Sequence, residues 1–412
     1  MTVKPAKLAY INAVRGIAIL MVITLHVSRA AIKSISPTFA YICAKGSYGV
    51  QLFFVASALT LFISYNNRSQ KEGTETNRNF FLRRFFRISP MYYLAALTYG
   101  AIFYFLPRYN DGKPLVLWKM LANLFYVNGV LPGAINYVPP GGWSVGVEML
   151  FYLCLPFLFV RIKNHKAAIT WFVLLAAASV VLKLVIRYVL IAHGINYQNP
   201  ETWFLYFWFP NQFPVFFLGF ILYFVLQQIS VSSKFKTYTL FTLSTIAMAL
   251  ISYFMPVIDP HSFMPEHIIV AIFFSINIFL LAQHPFIIFN NRITRFLGEI
   301  SFSLYLVHFM VVYLLADYCP LPGTPYPKFA TLLFLTLAIS AAISTLTYRF
   351  VEQKGIRFGN KFTRVNPANI KLYPVSTSSG LEINKDELPG LSADLIHNEE
   401  MEETEVLPDK EY

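Results

Sequence analysis

The chain has 412 residues, of which 56% are apolar and 13% charged, and its formal net charge is +12. This is too few charges for a soluble protein of this size, so the composition indicates a protein embedded in a membrane. The sequence has no P-loop, no GxGxxG motif and no metal-ligand spacing of His or Cys, so it does not support an ATPase, a nicotinamide enzyme or a metal site.

The charge is divided unevenly between the body of the chain and its end. Residues 1–365 carry 30 basic and 10 acidic side chains, whereas residues 366–412 carry 3 basic and 11 acidic ones. The acidic segment has few large apolar residues, so we predict a transmembrane domain over 1–365 and a disordered cytoplasmic tail over 366–412. The basic body suits anionic lipid headgroups or an anionic cytoplasmic substrate, and it has no nucleic-acid-binding motif.

Apolar stretches long enough to cross a bilayer recur along the chain, which predicts an all-α polytopic protein of the cell membrane. Lys and Arg number twenty on one side of these stretches and eight on the other, so both termini are predicted to be cytoplasmic. The ten predicted spans are Leu8–Ser28, Tyr48–Tyr65, Ile88–Leu106, Trp143–Val160, Ala167–Ala192, Tyr206–Leu226, Tyr238–Pro256, His267–Ala282, Gly298–Asp317 and Phe329–Phe350.

The first span carries two ionisable residues, Arg15 and His26. Eleven residues are close to three helical turns, so both side chains leave the same helix face about 16 Å apart along the axis. Ionisable residues inside a span are costly, and each is therefore a candidate functional residue. The spacing predicts a charge at one level of the bilayer and a titratable group at another.

The third span begins with the basic sequence RRFFR. Arg84 and Arg87 are three residues apart and are neighbours on one helix face, next to Arg83. Paired guanidinium groups at a membrane surface suit phosphate groups. The alternative is an ordinary anchor of the positive-inside kind.

The fourth span follows the loop YVPPGGW and places Glu148 about 8 Å below its start at Trp143. His26 is predicted at a similar depth. A carboxylate beside an imidazole fixes its tautomer and stabilises the imidazolium, as a general base requires. In the alternative interpretation Glu148 and His26 are interfacial residues, and Trp143 is an aromatic-belt anchor.

The ninth span contains ISFSLYLVH, in which Ser301, Tyr305 and His308 share one helix face. His308 is predicted near mid-bilayer, either lining the site or forming a structural hydrogen bond between helices. Cys43 and Cys319 fall in predicted outer segments, so a disulfide between them is one possibility.

These motifs together resemble the membrane-bound acyltransferase-3 family, often described as O-acetyltransferases of bacterial surface polysaccharides. Arg15 and His26 are similar to its Arg-x10-His motif, and Arg84 and Arg87 to its Arg-x-x-Arg motif. GGWSVGVEMLFYLCLP, which contains Glu148, resembles its Trp-Ser-x-x-Val-Glu motif, and ISFSLYLVHF its penultimate-span motif. The resemblance covers residues 8–355.

The resemblance implies an acyl donor, usually acetyl-CoA, that arrives from the cytoplasm as a substrate, with no permanently bound cofactor. Arg84 and Arg87, with their neighbour Arg83, would hold the CoA phosphates. The acyl-pantetheine arm would then enter the bundle past Arg15.

The resemblance also implies an acceptor hydroxyl on an extracytoplasmic glycan or glycolipid. His26, oriented by Glu148, would take the proton from this hydroxyl as it attacks the thioester, directly or through a covalent acyl relay. Residues expected near the acceptor are Trp143, Ser144, Tyr305 and His308. The competing class is a proton-coupled transporter or flippase, because buried Arg and His also suit a carrier.

Overall fold

The computed structural model describes residues 9–30, 35–110, 112–194, 204–254, 265–318 and 324–363. These residues form fifteen α-helices and no β-strand, as the sequence predicts. The helices are α1 (Ala9–Ala30), α2 (Pro37–Ala44), α3 (Gly49–Glu72), α4 (Thr76–Phe105), α5 (Leu117–Leu124), α6 (Gly142–Arg161), α7 (His165–Ala192), α8 (Phe204–Phe207), α9 (Phe209–Gln228), α10 (Lys234–Phe254), α11 (Glu266–Gln283), α12 (Arg292–Glu299), α13 (Ser301–Tyr318), α14 (Pro325–Thr347) and α15 (Gln353–Asn360).

Eight helical stretches of the described chain are long and apolar enough to cross a membrane, and a bent pair of helices raises this number to nine. The chain is therefore a multi-pass membrane protein by helix length and composition. The stretches are Ala9–Ala30, Pro37–Phe105, Gly142–Arg161, His165–Ala192, Phe204–Gln228, Lys234–Phe254, Glu266–Gln283 and Pro325–Asn360, with Arg292–Glu299 and Ser301–Asp317 as the bent pair.

The stretch Pro37–Phe105 contains two of the predicted spans, which are α3 and α4. The chain turns between them at Gly73, whose φ of 56° is a conformation that glycine adopts at little cost. Tyr65 on α3 donates a hydrogen bond to Asn77 on α4 and packs its ring 5.4 Å from that of Phe80. The two helices therefore run back along each other.

The bent pair consists of α12 and α13, which meet at an angle of 83°. Helix α12 begins with a capping box, in which the Asn291 side chain accepts from the backbone N–H of Thr294 and the Thr294 hydroxyl accepts from that of Asn291. This box satisfies orphan donors of the first turn and fixes the start of the helix. Because of this bend, α12 crosses α1.

Helix α1 crosses α12 at very short range, and two glycines permit it. A Cβ atom on Gly16 would lie 1.9 Å from the backbone oxygen of Thr294, and one on Gly298 would lie 1.7 Å from that of Asn12. A similar contact holds α3, because a Cβ on Gly49 would lie 2.5 Å from the oxygen of Ala18. Helix α1 is thus clamped between α3 and α12.

Two predictions fall on residues outside the described ranges. The acidic tail 366–412 and Cys319 belong to them, so the disordered tail and the Cys43–Cys319 pairing stay predictions. Cys43 itself is buried, and Cys154 is half-buried on α6.

We expect Gly298→Ala to lower the thermal stability of the purified protein strongly. Its new methyl group would meet the backbone of α1, which cannot move aside as a flexible side chain would. Overpacking of this kind costs about 1–3 kcal/mol or more. Gly100→Ala on α4 is the matched control, since its Cβ would meet only the end of Met120 at 3.5 Å. Unfolding of each variant is followed by tryptophan fluorescence in detergent. Equal melting temperatures for the two variants would contradict the close contact of α1 with α12.

Candidate active site

Two cavities lie inside the bundle, and each contains part of the predicted site. The larger has a volume of about 700 Å³ and contains His26; we call it the histidine cavity. The smaller has a volume of about 100 Å³ and contains Arg15; we call it the arginine cavity. Helix α1 contributes to both cavities, His26 to the larger and Arg15 to the smaller.

The arginine cavity brings together six charged side chains. Three guanidinium groups and three carboxylates line it, so their formal charges cancel. Its polar walls also include Ser57 of α3 and Tyr152 of α6. The charged residues are Arg15 from α1, Arg84 and Arg87 from α4, Glu148 from α6, Glu299 from α12 and Glu352 from the π-helical turn Tyr348–Glu352.

Glu148 is fixed at the wall of this cavity by two hydroxyl groups. The Ser57 hydroxyl donates to its Oε1, and the Tyr152 hydroxyl donates to the same oxygen at 2.7 Å. Arg15 lies within electrostatic range of Glu148 and Arg87. Two hydroxyl donors and a nearby cation therefore hold the Glu148 carboxylate at the wall of the arginine cavity.

The predicted pairing of Glu148 with His26 is not formed in this structure. The predicted depth of Glu148 depends on Trp143 marking the outer surface, but Trp143 is only 6% exposed. Its ring packs 4.7 Å from that of Phe207 and 6.2 Å from that of Phe54. Helix α6 therefore begins inside the bundle, and Glu148 lies in the arginine cavity instead.

His26 has a second histidine and a phenylalanine as its ring neighbours. Its ring centroid lies 4.3 Å from that of Phe309 and 5.3 Å from that of His308. His308 is fully buried, its Nδ1 lies 3.1 Å from the Leu304 carbonyl oxygen, and its Nε2 has no hydrogen-bond partner. An Nδ1–H donor would leave the Nε2 lone pair unsatisfied beside His26.

Tyr305 lies at the boundary between the two cavities and lines both of them. Its hydroxyl donates to the carbonyl oxygen of Gly141 at 3.0 Å and accepts from the hydroxyl of Ser144 at 2.9 Å. These bonds tie α13 to the start of α6. Tyr305 and Trp143 line the histidine cavity and Ser144 lines the arginine cavity, and their contact with an acceptor stays a prediction.

Arg83 is separated from the other two arginines of its sequence motif. Its guanidinium forms a two-point ion pair with Glu72, with distances of 2.8 and 2.9 Å. Glu72 also lies 3.5 Å from Arg68. Arg83 is thus engaged near the turn between α3 and α4, while Arg84 and Arg87 face the arginine cavity.

Several residues of the two cavities were not predicted from the sequence. Tyr152 follows Glu148 by one helical turn, and this spacing was a usable signal. Ser57, Glu299 and Glu352 come from distant elements, and a single sequence contains no sign that these elements meet. Arg29 follows His26 by three residues and lines the histidine cavity with it.

Comparisons with known proteins identify the family of this chain. Residues 8–348 match the family described as the acyltransferase domain of the acyltransferase-3 type. The chain is 23% identical over 401 residues to a provisionally named O-acetyltransferase of Staphylococcus aureus strain COL, covering 90% of this chain and 61% of the relative. It is 24% identical over 375 residues to O-acetyltransferase OatA of strain NCTC 8325, covering 84% of this chain and 57% of that protein.

The chain belongs to the acyltransferase-3 family, because the family match covers most of its length. The predicted resemblance is confirmed, and the bundle is an acyltransferase domain. The chain spans about three fifths of the length of the curated relatives that it matches. No solved structure matches it.

We expect Tyr305→Phe to lower the free energy of unfolding by about 1–2 kcal/mol, because it removes two hydrogen bonds, one donated to the Gly141 carbonyl oxygen and one accepted from the Ser144 hydroxyl. Tyr104→Phe is the control, since Tyr104 is 70% exposed. In a double-mutant cycle with Ser144→Ala, the loss for the double variant should be smaller than the sum of the single losses. Additive losses would mean that the two hydroxyl groups do not interact.

Proposed function

We propose that this protein is an integral-membrane O-acyltransferase. It moves an acyl group, in the simplest case acetyl, from cytoplasmic acyl-CoA to a hydroxyl of an extracytoplasmic glycan or glycolipid. The observation that carries the proposal is that α1 places Arg15 in one cavity and His26 in another, and that Tyr305 lines both cavities. The names of the relatives support the O-acetyl chemistry.

The proposed orientation has ten spans with both termini in the cytoplasm. It rests on the excess of Lys and Arg in alternate connections and on α3 and α4 as separate antiparallel helices. In this orientation the arginine cavity opens toward the cytoplasm, where acyl-CoA is available, and the histidine cavity opens toward the opposite side. The membrane would be the cell membrane, which is the inner one in a Gram-negative organism.

The donor would use the arginine cavity only in part. Drug-sized ligands occupy pockets of about 300–1,000 Å³, so a cavity of about 100 Å³ cannot enclose the nucleotide part of CoA. The CoA phosphates would therefore contact Arg84 and Arg87 at its edge, since a guanidinium fork matches phosphate geometry. The narrow acyl-pantetheine arm would pass Arg15 toward Tyr305.

The acceptor would lie in the histidine cavity with its hydroxyl at His26. The neutral imidazole takes the hydroxyl proton while the oxygen attacks the thioester carbonyl carbon. The carbon–sulfur bond then breaks, and the CoA thiolate leaves and takes up the proton from His26. Glu148 would hold Arg15 in place by charge, while His308 and Phe309 are the side chains that position the His26 ring.

The alternative left open by the sequence is a proton-coupled transporter or flippase. The family match and the named relatives give it no support, since both describe acyl transfer. The proposed donor path already gives Arg15 a role, so a carrier is not needed to explain an arginine within a span.

We expect His26→Asn to reduce the rate of acetyl transfer by roughly 10²–10⁴-fold, the usual cost of losing a general base. The measurement uses the purified chain in nanodiscs, labelled acetyl-CoA and a panel of glycan acceptors. His193→Asn, at an exposed site after α7, controls for the loss of an imidazole as such. Near-normal transfer by a folded His26→Asn protein would refute the assignment.

We also expect Arg84→Gln and Arg87→Gln to weaken acetyl-CoA binding by roughly 10- to 150-fold, since each removes a charge-assisted contact of about 1.5–3 kcal/mol. Lysine at either position should restore affinity only partly, because an ammonium group forms no bidentate fork. Arg78→Gln is the matched control on the same helix, where Arg78 is 60% exposed and pairs with Glu75. Titration of CoA by calorimetry gives the affinities, and unchanged values in both variants would move the donor site elsewhere.

A further inference from the structure

Arg29 is an exposed cation that lines the histidine cavity and that the proposed reaction does not yet use. It follows His26 by three residues in the last turn of α1, so the two side chains leave the same helix face about 4.5 Å apart along the axis. Both line the cavity. The Arg29 guanidinium forms no ion pair and no hydrogen bond with any residue that the structure describes.

The other charged groups of this cavity neutralise each other. Arg108 lies 3.5 Å from Asp317 and stacks its guanidinium 4.9 Å from the Tyr109 ring. Among the described lining residues, two guanidinium groups therefore face a single carboxylate. One positive charge, that of Arg29, is left without a counter-charge.

An unmatched guanidinium beside a general base has a physical cost during the reaction. When His26 takes a proton, its imidazolium would be repelled by Arg29 one turn away. An anionic group bound to Arg29 would cancel this repulsion at the moment when the proton moves. It would also fill the donor positions of the guanidinium, which match carboxylate and phosphate geometry.

The rest of the cavity suits a sugar. Its walls carry the aromatic rings of Trp143, Tyr305, Phe309 and Tyr313, which offer flat apolar faces, and the amide of Asn136. A volume of about 700 Å³ accommodates one or two sugar rings rather than a polymer. An anion held at Arg29 would thus lie on the same sugar as the reacting hydroxyl, or on the next one.

We propose that the acceptor carries an anionic group, a carboxylate or a phosphate, within about one sugar ring of the acylated hydroxyl, and that Arg29 binds this group. The inference rests on the proposed function, since it names the class of acceptor. It makes Arg29 a specificity-determining residue of the same site.

The test compares three acceptors that share one ring: methyl glucoside, methyl glucuronoside and methyl glucoside 6-phosphate. Binding of each to the full chain in phosphatidylcholine nanodiscs is measured without donor, and acetyl transfer is measured separately with labelled acetyl-CoA. We expect one or both anionic probes to bind roughly 10- to 100-fold more tightly than the neutral probe, as a charge-assisted contact implies. The carboxylate and phosphate arms identify which anion the site prefers.

Arg29→Gln should bring the ratio of anionic to neutral binding close to one, and Arg29→Lys should restore part of it. Acetyl-CoA affinity should not change, because the donor binds elsewhere. Arg187→Gln on α7 removes a guanidinium that does not line the cavity and should keep the wild-type ratio. Equal binding of all three probes, no binding of any, or a ratio that survives Arg29→Gln would each overturn the inference.

Two further outcomes separate this inference from others. Anion-dependent binding without acetyl transfer to any acceptor would leave the Arg29 site in place and overturn the proposed function. The same binding is repeated in nanodiscs that contain phosphatidylglycerol. If this lipid abolishes probe binding to the wild type and to Arg187→Gln alike, a lipid headgroup occupies Arg29, and the acceptor assignment is overturned.

Discussion

Mutual neutralisation of charge inside the helical bundle is the constraint on which this structure depends. A lone ionised group inside an apolar bundle costs several kcal/mol, and removing one partner of a buried pair costs about as much. The arginine cavity meets this cost with as many carboxylates as guanidinium groups, drawn from α1, α4, α6, α12 and the turn after α14. Among them Glu352 is buried, Glu299 is exposed and the other four are half-buried. The packing of these elements is therefore linked, because moving one of them would strand a charge that another must balance.

This balance also shapes how a donor would interact with the protein. Arg84 and Arg87 share their cavity with Glu299 and Glu352. An incoming phosphate would therefore compete with these carboxylates for the two guanidinium groups. Under the proposed function, such competition would favour moderate affinity for acyl-CoA and easy release of CoA after transfer. The histidine cavity differs, because Arg29 has no carboxylate that matches it among the described residues. Under the two proposals, the arginine cavity would exchange its carboxylate contacts for the phosphates of the donor, and the histidine cavity would bind an anionic group at Arg29.

Much of the helical architecture could be predicted from hydrophobic length alone, because a bilayer leaves few alternatives to apolar helices. The common face of Arg15 and His26 followed from the helical repeat, and so did that of Arg84 and Arg87. The surroundings of Glu148 could not be predicted in this way. The predicted depth of Glu148 depended on Trp143 marking a membrane surface, and Trp143 instead packs inside the bundle. Ser303 and Glu352 share a hydrogen bond across 49 residues of sequence, and no local pattern reports such a contact.

The hydrogen bonds of Tyr305 with Gly141 and Ser144 have a consequence for the membrane itself. A catalyst that joins a donor on one side to an acceptor on the other risks opening a leak for protons and other ions. Here Tyr305, which lines both cavities, is hydrogen-bonded through its hydroxyl to the start of α6, so polar contacts fix this part of the partition between the cavities. Under the proposed function, a small acyl group crosses this partition while the electrochemical gradient of the cell is preserved.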